Sequence, residues 1–195
     1  MKKVGIMGGT FDPIHNGHCI AALMAKEQAG LDEIWFIPSN DPPLKPSAPK
    51  ANALHRYHMV ELATQHLPFF RVLDIELKRS GTSYSYDTVT ALLKNYPDVE
   101  LYYIVGTDRV NDLTSWYKAD ELKQLIQFIG ISRGGETVDL SSMSSEWKSR
   151  LQLIKTPLIE MSSTMIRQRL TERLPISYYC PDKVVHYIKE HQLYE

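Results

Sequence analysis

A short apolar run, Val4 to Met7, breaks directly into Gly8-Gly9-Thr10-Phe11-Asp12-Pro13-Ile14-His15-Asn16-Gly17-His18, and few folds have a use for that junction. The run is predicted as a buried first strand. The two glycines behind it form a backbone with no Cβ to hold a ligand away, so main-chain N–H groups can approach an anion closely, and phosphate is the expected guest. The chain then turns at Asp12-Pro13 and enters a helical pattern near His15 to His18, whose N–H groups and positive dipole end face the same place. His15 and His18 stand three apart, so both imidazoles are expected to project from one face of a helical turn toward that anion. The P-loop and the spaced-glycine dinucleotide fingerprint are both missing here. Zinc wants three or four ligands, and no third residue has a spacing that points to a metal held by this histidine pair.

The rest of the chain alternates between strand and helix patterns. Ile20, Ala21, Leu23 and Met24 give the first helix an apolar stripe with Gly30 as its stop. Glu33 to Pro38 reads as a strand covered on both faces, which makes a parallel strand–helix–strand crossover. The four-proline loop from Ser39 to Pro49 then lies at the carboxyl end of that strand, the ligand edge of an open α/β sheet. Lys45 is there either a phosphate contact or a solvated lysine. A helix is expected over Ala53 to His66, with Tyr57, Val60, Leu62 and Ala63 inward and His55 and His58 facing solvent. Phe69 to Leu73 and Ile75 to Leu77 read as short strands, and Ser85 as the start of a helix leading into Val89, Leu92 and Leu93. Leu101 to Val105 is a buried strand ending in Gly106-Thr107-Asp108, where Asp108 could grip a ribose or adenine edge or merely start a helix. Trp116-Tyr117 precedes a helix through Leu122 and Leu125 and a strand at Phe128 to Ile131. The Gly- and Ser-rich stretch Arg133 to Ser149 reads as an excursion without periodicity. Leu158 to Glu160 is expected as the final strand. Ser162, Ser163 and Thr164 open a helix with Arg167 on its first turn, which suits a polyphosphate or, equally, ordinary N-capping. Pro181 to Tyr194 is expected as a closing amphipathic helix.

At 195 residues, one domain spanning 1–195 is expected, with 43% hydrophobic and 23% charged residues as in ordinary globular chains. A formal net charge of -1 gives no bulk reason to expect nucleic acid or an anionic membrane as partner, so any phosphate site must be local. Cys19 and Cys180 form no disulfide framework, and no signal peptide or long apolar run is found. A cytoplasmic location is expected from these features.

The first motif is similar to the His-x-Gly-His signature of the nucleotidylyltransferase superfamily, in the form typical of nicotinate mononucleotide adenylyltransferases. The resemblance extends through Pro42-Pro43 with Lys45, Ser83-Tyr84 with Asp87-Thr88, Ile104 to Asp108, Trp116-Tyr117, Ser162-Ser163-Thr164 with Arg167, and the closing Tyr187-Ile188 and Leu193-Tyr194. It implies an α/β fold, a Rossmann-like parallel sheet flanked by helices with a small C-terminal helical part. It also implies transfer of AMP from ATP to nicotinate mononucleotide, giving nicotinate adenine dinucleotide and pyrophosphate. Catalysis is then expected from His18, His15, Lys45 and Arg167. ATP is expected on Gly8, Gly9, Thr10, Phe11, His15, His18, Gly106, Asp108, Ser162, Ser163, Thr164 and Arg167. Nicotinate mononucleotide is expected on Thr10, Lys45, Tyr84, Thr88, Trp116 and Tyr117. Mg²⁺ is expected to arrive with ATP rather than in a protein-built metal site, and a homodimer is left open. One departure stands out: Leu44 occupies a position where family members commonly carry His. Readings that stay open are a sister enzyme with another phosphate acceptor, a nucleotide sensor without turnover, and a histidine-based metal hydrolase.

Overall fold

The computed structural model describes residues 1–41, 48–79, 81–133, 138–141 and 143–194. The first half runs β1 (Lys2–Gly9), α1 (Asn16–Ala29), β2 (Glu33–Pro38), α2 (Ala53–Thr64), β3 (Phe70–Val72), α3 (Ser85–Asn95) and β4 (Val99–Gly106). The second runs α4 (Thr107–Val110), α5 (Ala119–Leu125), β5 (Gln127–Arg133), α6 (Ser145–Ser149), β6 (Leu151–Thr156), α7 (Ser163–Thr171) and α8 (Asp182–Glu190). The strands form one sheet in the order β3-β2-β1-β4-β5-β6, every neighbouring pair parallel. This is the Rossmann-like architecture expected from the alternating pattern.

Alternation along the inner strands feeds two cores. Ile34, Phe36, Tyr102 and Ile104 face the layer of α1, α2, α7 and α8, where they meet Ala22, Met59, Ile166 and Val184. Val4, Ile6, Trp35 and Leu101 face the other layer, where they meet Val89, Leu122 and Trp147. Both sides of β1, β2 and β4 are covered, which is why these strands read as continuous apolar runs. Gly30 ends α1 at φ 63°, in the left-handed region, with its N–H donating to the Lys26 carbonyl.

Four sequence expectations need correction. The last strand is β6, not Leu158 to Glu160; as an edge strand it buries only Ile154 and Thr156 and so carries no continuous apolar signal. Ile75 to Leu77 lies in a turn, closed by the Lys78 N–H on the Asp74 carbonyl (3.1 Å) and by an ion pair between the same side chains (2.8 Å). The excursion after β5 contains α6, whose Trp147 packs on Phe128 with ring centroids 5.4 Å apart. His55 is half-buried beneath α8, with its Nδ1 2.8 Å from the Tyr187 hydroxyl, whereas the His58 side chain remains 44% exposed as expected. At the β6 edge, the Gln28 amide of α1 donates to the Lys155 carbonyl (2.8 Å) and accepts from its N–H (3.3 Å), occupying the ladder groups another strand would use. Among the described residues no helix is long and apolar enough to cross a membrane.

Candidate active site

The strand order reverses between β1 and β4, and the Gly8–His18 segment leaves the sheet at that point. Contacts from distant parts of the chain hold the segment. Arg56, 1% exposed, donates through Nη1 to the Thr10 carbonyl (2.6 Å) and through Nε to the Ala51 carbonyl (3.2 Å). The Asp12 carboxylate, also buried, accepts from the N–H groups of Lys50 (2.8 Å) and Ala51 (3.0 Å) and from the Tyr194 hydroxyl (2.8 Å). Arg167 Nη1 donates to the Asp12 carbonyl (2.7 Å), and Ser163 Oγ donates to the Pro13 carbonyl (2.9 Å). Burial pulls the Arg56 guanidinium below its ordinary pKa, and the nearby Asp12 charge opposes that shift. The result is a loop whose backbone direction is set by buried charge rather than by its own turn residues.

His15 is the N-cap of α1 and His18 sits in its first turn. They project side by side, as their three-residue spacing implies. Their rings stack, 3.7 Å between centroids, and the His15 N–H donates to His18 Nδ1 at 3.2 Å. A ring whose Nδ1 accepts carries its proton on Nε2, so His18 presents an Nε2–H donor. Gly17 permits the stack, because a Cβ there would come within 3.0 Å of the His15 ring. Phe11 supports His18 edge-on, with centroids 5.1 Å apart.

Two cavities open on this segment. The first, of about 170 Å³, is lined by Gly9, Phe11, His15, His18, Gly106 and Met161, among others. The second, of about 250 Å³, is lined by Thr10, Ser39, Glu76, Arg109 and Trp116, among others. Gly8, Gly9, Ile104, Val105 and Gly106 border both, so the cavities meet over the carboxyl ends of β1 and β4. A Cβ on Gly8 would lie 2.7 Å from the Tyr103 hydroxyl, which also accepts from Ser85 Oγ at 3.1 Å; glycine is what lets that wall close.

The structure thus brings Gly8, Gly9, Phe11, His15, His18 and Gly106 around one cavity, and Thr10 and Trp116 to the other. Several expected site residues have internal occupations. Ser162 caps α7, accepting from the Met165 N–H (3.1 Å), and Thr164 accepts from Arg167 Nη2 (3.2 Å). Thr88 is buried, donating to Glu76 (2.7 Å) and accepting from Arg79 (3.0 Å). Tyr84, the N-cap of α3, packs on Tyr117 with centroids 4.6 Å apart, and Asp87 lies in the first turn of that helix. Asp108 is largely exposed, with its Oδ1 close to Gly106. Lys45 and Leu44 lie outside the described residues. Sequence reading passed over the roles of Asp12, Arg56, Glu76, Ser39 and Tyr194. Glu76 is 4% exposed, and its burial pushes its carboxyl above the ordinary range, against the hydrogen bonds from Thr88 and Ser83 and the charge of Arg79. Among the described residues no cluster of three His, Cys, Asp or Glu is placed to hold a metal ion.

Residues 6–169 match the cytidylyltransferase-like family. The chain is 46% identical over 195 residues to a nicotinate-nucleotide adenylyltransferase of Bacillus subtilis, covering 100% of both chains. Its fold is similar to that of the Plasmodium falciparum nicotinic acid mononucleotide adenylyltransferase complexed with NaAD (TM-score 0.79, 23% identity, 100% and 98% of the two chains covered). The same values hold for that protein complexed with APC.

Proposed function

We infer function from the premise that this chain belongs to the cytidylyltransferase-like family, among its nicotinate-nucleotide adenylyltransferases. It transfers AMP from ATP to nicotinate mononucleotide, forming nicotinate adenine dinucleotide and pyrophosphate. The observation that carries our assignment of the site is the meeting of two cavities at Gly8, Gly9 and Gly106. ATP occupies the cavity under His15 and His18, and the mononucleotide occupies the one beside Trp116. The acceptor phosphate then meets the α-phosphate of ATP over the glycines.

The acceptor needs no base. The second pKa of a phosphate monoester is about 6, so its oxygen is already a nucleophile at neutral pH. That oxygen forms a bond to the α-phosphorus while the bond from α-phosphorus to the bridging oxygen of pyrophosphate breaks. Catalysis is therefore alignment and charge stabilisation. His18 donates from Nε2 as charge grows on the α-phosphate and leaving group, with His15 setting its orientation. The Arg167 guanidinium has five donors, and two nitrogens already bond Asp12 and Thr164, so it is held rigidly with N–H capacity left for phosphate oxygens. Mg²⁺ arrives with the ATP phosphates.

Incubating the protein with ATP, Mg²⁺ and each candidate phosphate acceptor tests this reading. Dinucleotide and pyrophosphate are expected in equal amounts when ATP and nicotinate mononucleotide are both present; ATP hydrolysis with no dinucleotide from any acceptor overturns it. A preference for the acid over the amide mononucleotide is also expected. The start of α3, next to the second cavity at Ser83, offers backbone N–H groups and a positive dipole end to a ring carboxylate. Glu76 opposes the acid when ionised; burial raises its carboxyl pKa, while Thr88, Ser83 and Arg79 favour the charged form. Equal kcat/KM for the two mononucleotides refutes the assignment of the α3 start as the carboxylate site.

A further inference from the structure

The second cavity contains two buried polar atoms with no hydrogen-bond partner among the described residues, Ser39 Oγ and Trp116 Nε1. Buried polar groups are paired in folded proteins almost without exception, so an orphan in a cavity calls for an explanation. Ser39 is 7% exposed, and its position is fixed from the backbone, because its N–H donates to the Gly9 carbonyl at 2.8 Å. That bond places residue 39 just past the carboxyl end of β2, next to Gly9, on the wall of the second cavity. Trp116 stands on another wall, edge-on to Tyr103 with centroids 5.5 Å apart, and its indole N–H can only donate. Both orphans suit an oxygen-rich guest.

We propose that Ser39 is a substrate-binding residue, its hydroxyl donating to a non-bridging oxygen of the attacking phosphate of the acceptor mononucleotide. The assignment rests on the function inferred above: the acceptor must bring its phosphate to Gly8 and Gly9 to reach the α-phosphate of ATP, and Ser39 is the orphan at that end. A hydroxyl on one non-bridging oxygen restrains the tetrahedron's rotation and leaves two others, one of which attacks. No proton is removed from the nucleophile, so Ser39 acts by orientation.

The test compares Ser39→Ala and Ser39→Cys with the unmodified chain, measuring calorimetric binding of nicotinate mononucleotide and of its phosphate-free riboside, steady-state kinetics, and melting without ligand. Loss of one hydrogen bond to a charged oxygen is expected to weaken mononucleotide binding about tenfold or more. The KM for ATP and the affinity for the riboside are expected to hold. The ligand-free melting temperature of the alanine variant is expected to stay level or rise, since an unpaired buried hydroxyl has been removed. The cysteine keeps the volume and loses the good donor, so it should reproduce the selective loss. Unchanged mononucleotide affinity overturns the proposal. So does equal weakening of mononucleotide and riboside, which places the contact on the ribose or ring, or a fall in melting temperature that tracks the affinity loss, which makes the role structural. Failure of the unmodified chain to bind the mononucleotide overturns the functional reading and this proposal with it.

Discussion

His18→Ala is expected to lower kcat about a hundredfold to a thousandfold while the affinity for ATP changes little, the size of loss usual when one donor to developing charge is removed. The expectation comes from how the ring is held. His15 occupies the Nδ1 side through its backbone N–H at 3.2 Å, the stacked His15 ring fixes the plane, and Phe11 closes the edge. The Nε2–H donor is therefore preorganised, and preorganised donors act where charge grows rather than where it already rests. Single-turnover rates with ATP binding measured in parallel decide the matter. Should ATP affinity fall in proportion while turnover holds, His18 anchors the ground state instead.

The second large effect falls on stability. Asp12→Ala is expected to destabilise the fold by about 3–5 kcal/mol, the range for breaking a buried charged network and stranding its partner. For a chain of this size that corresponds to a drop of roughly 6–20 °C in Tm. The variant removes the acceptor for two backbone N–H groups and the Tyr194 hydroxyl, and leaves the Arg56 guanidinium buried with less compensation. Asp12→Asn keeps one acceptor oxygen and sets its NH2 against the donors on the other side, so it removes the charge together with part of the hydrogen bonding and is expected to lose less than Ala. A Tm change of under about 2 °C for Asp12→Ala contradicts the network account.

What the sequence made legible was local. The glycine junction after Val4 to Met7, the apolar runs of β2 and β4, and the stop at Gly30 each announce themselves within a few residues, because burial on both faces or a left-handed backbone dictates composition on the spot. β6 escaped because an edge strand may be polar on one face. Arg56 hid inside a helix chosen by apolar spacing, although it is more buried than Tyr57 or Leu62, the neighbours expected to point inward. Its partner is the carbonyl of Thr10, a contact no periodicity encodes. Glu76 looked like part of a strand pattern and is a cavity wall. The histidines and their shared direction were legible in the spacing; their stacking was not, since it depends on the N-cap geometry of His15.

The bond from Tyr194 to Asp12 joins residues 182 positions apart. During synthesis the Gly8–His18 turn emerges well before the Tyr194 hydroxyl that completes the partners of the Asp12 carboxylate. A nascent chain can pair β1 with β2 and β4 early, yet it must wait until α8 and the residues after it have been made before Asp12 has its full set of partners. Assembly of the sheet and maturation of the site are thus separate events in time, the second waiting on translation of the first motif's most distant neighbour.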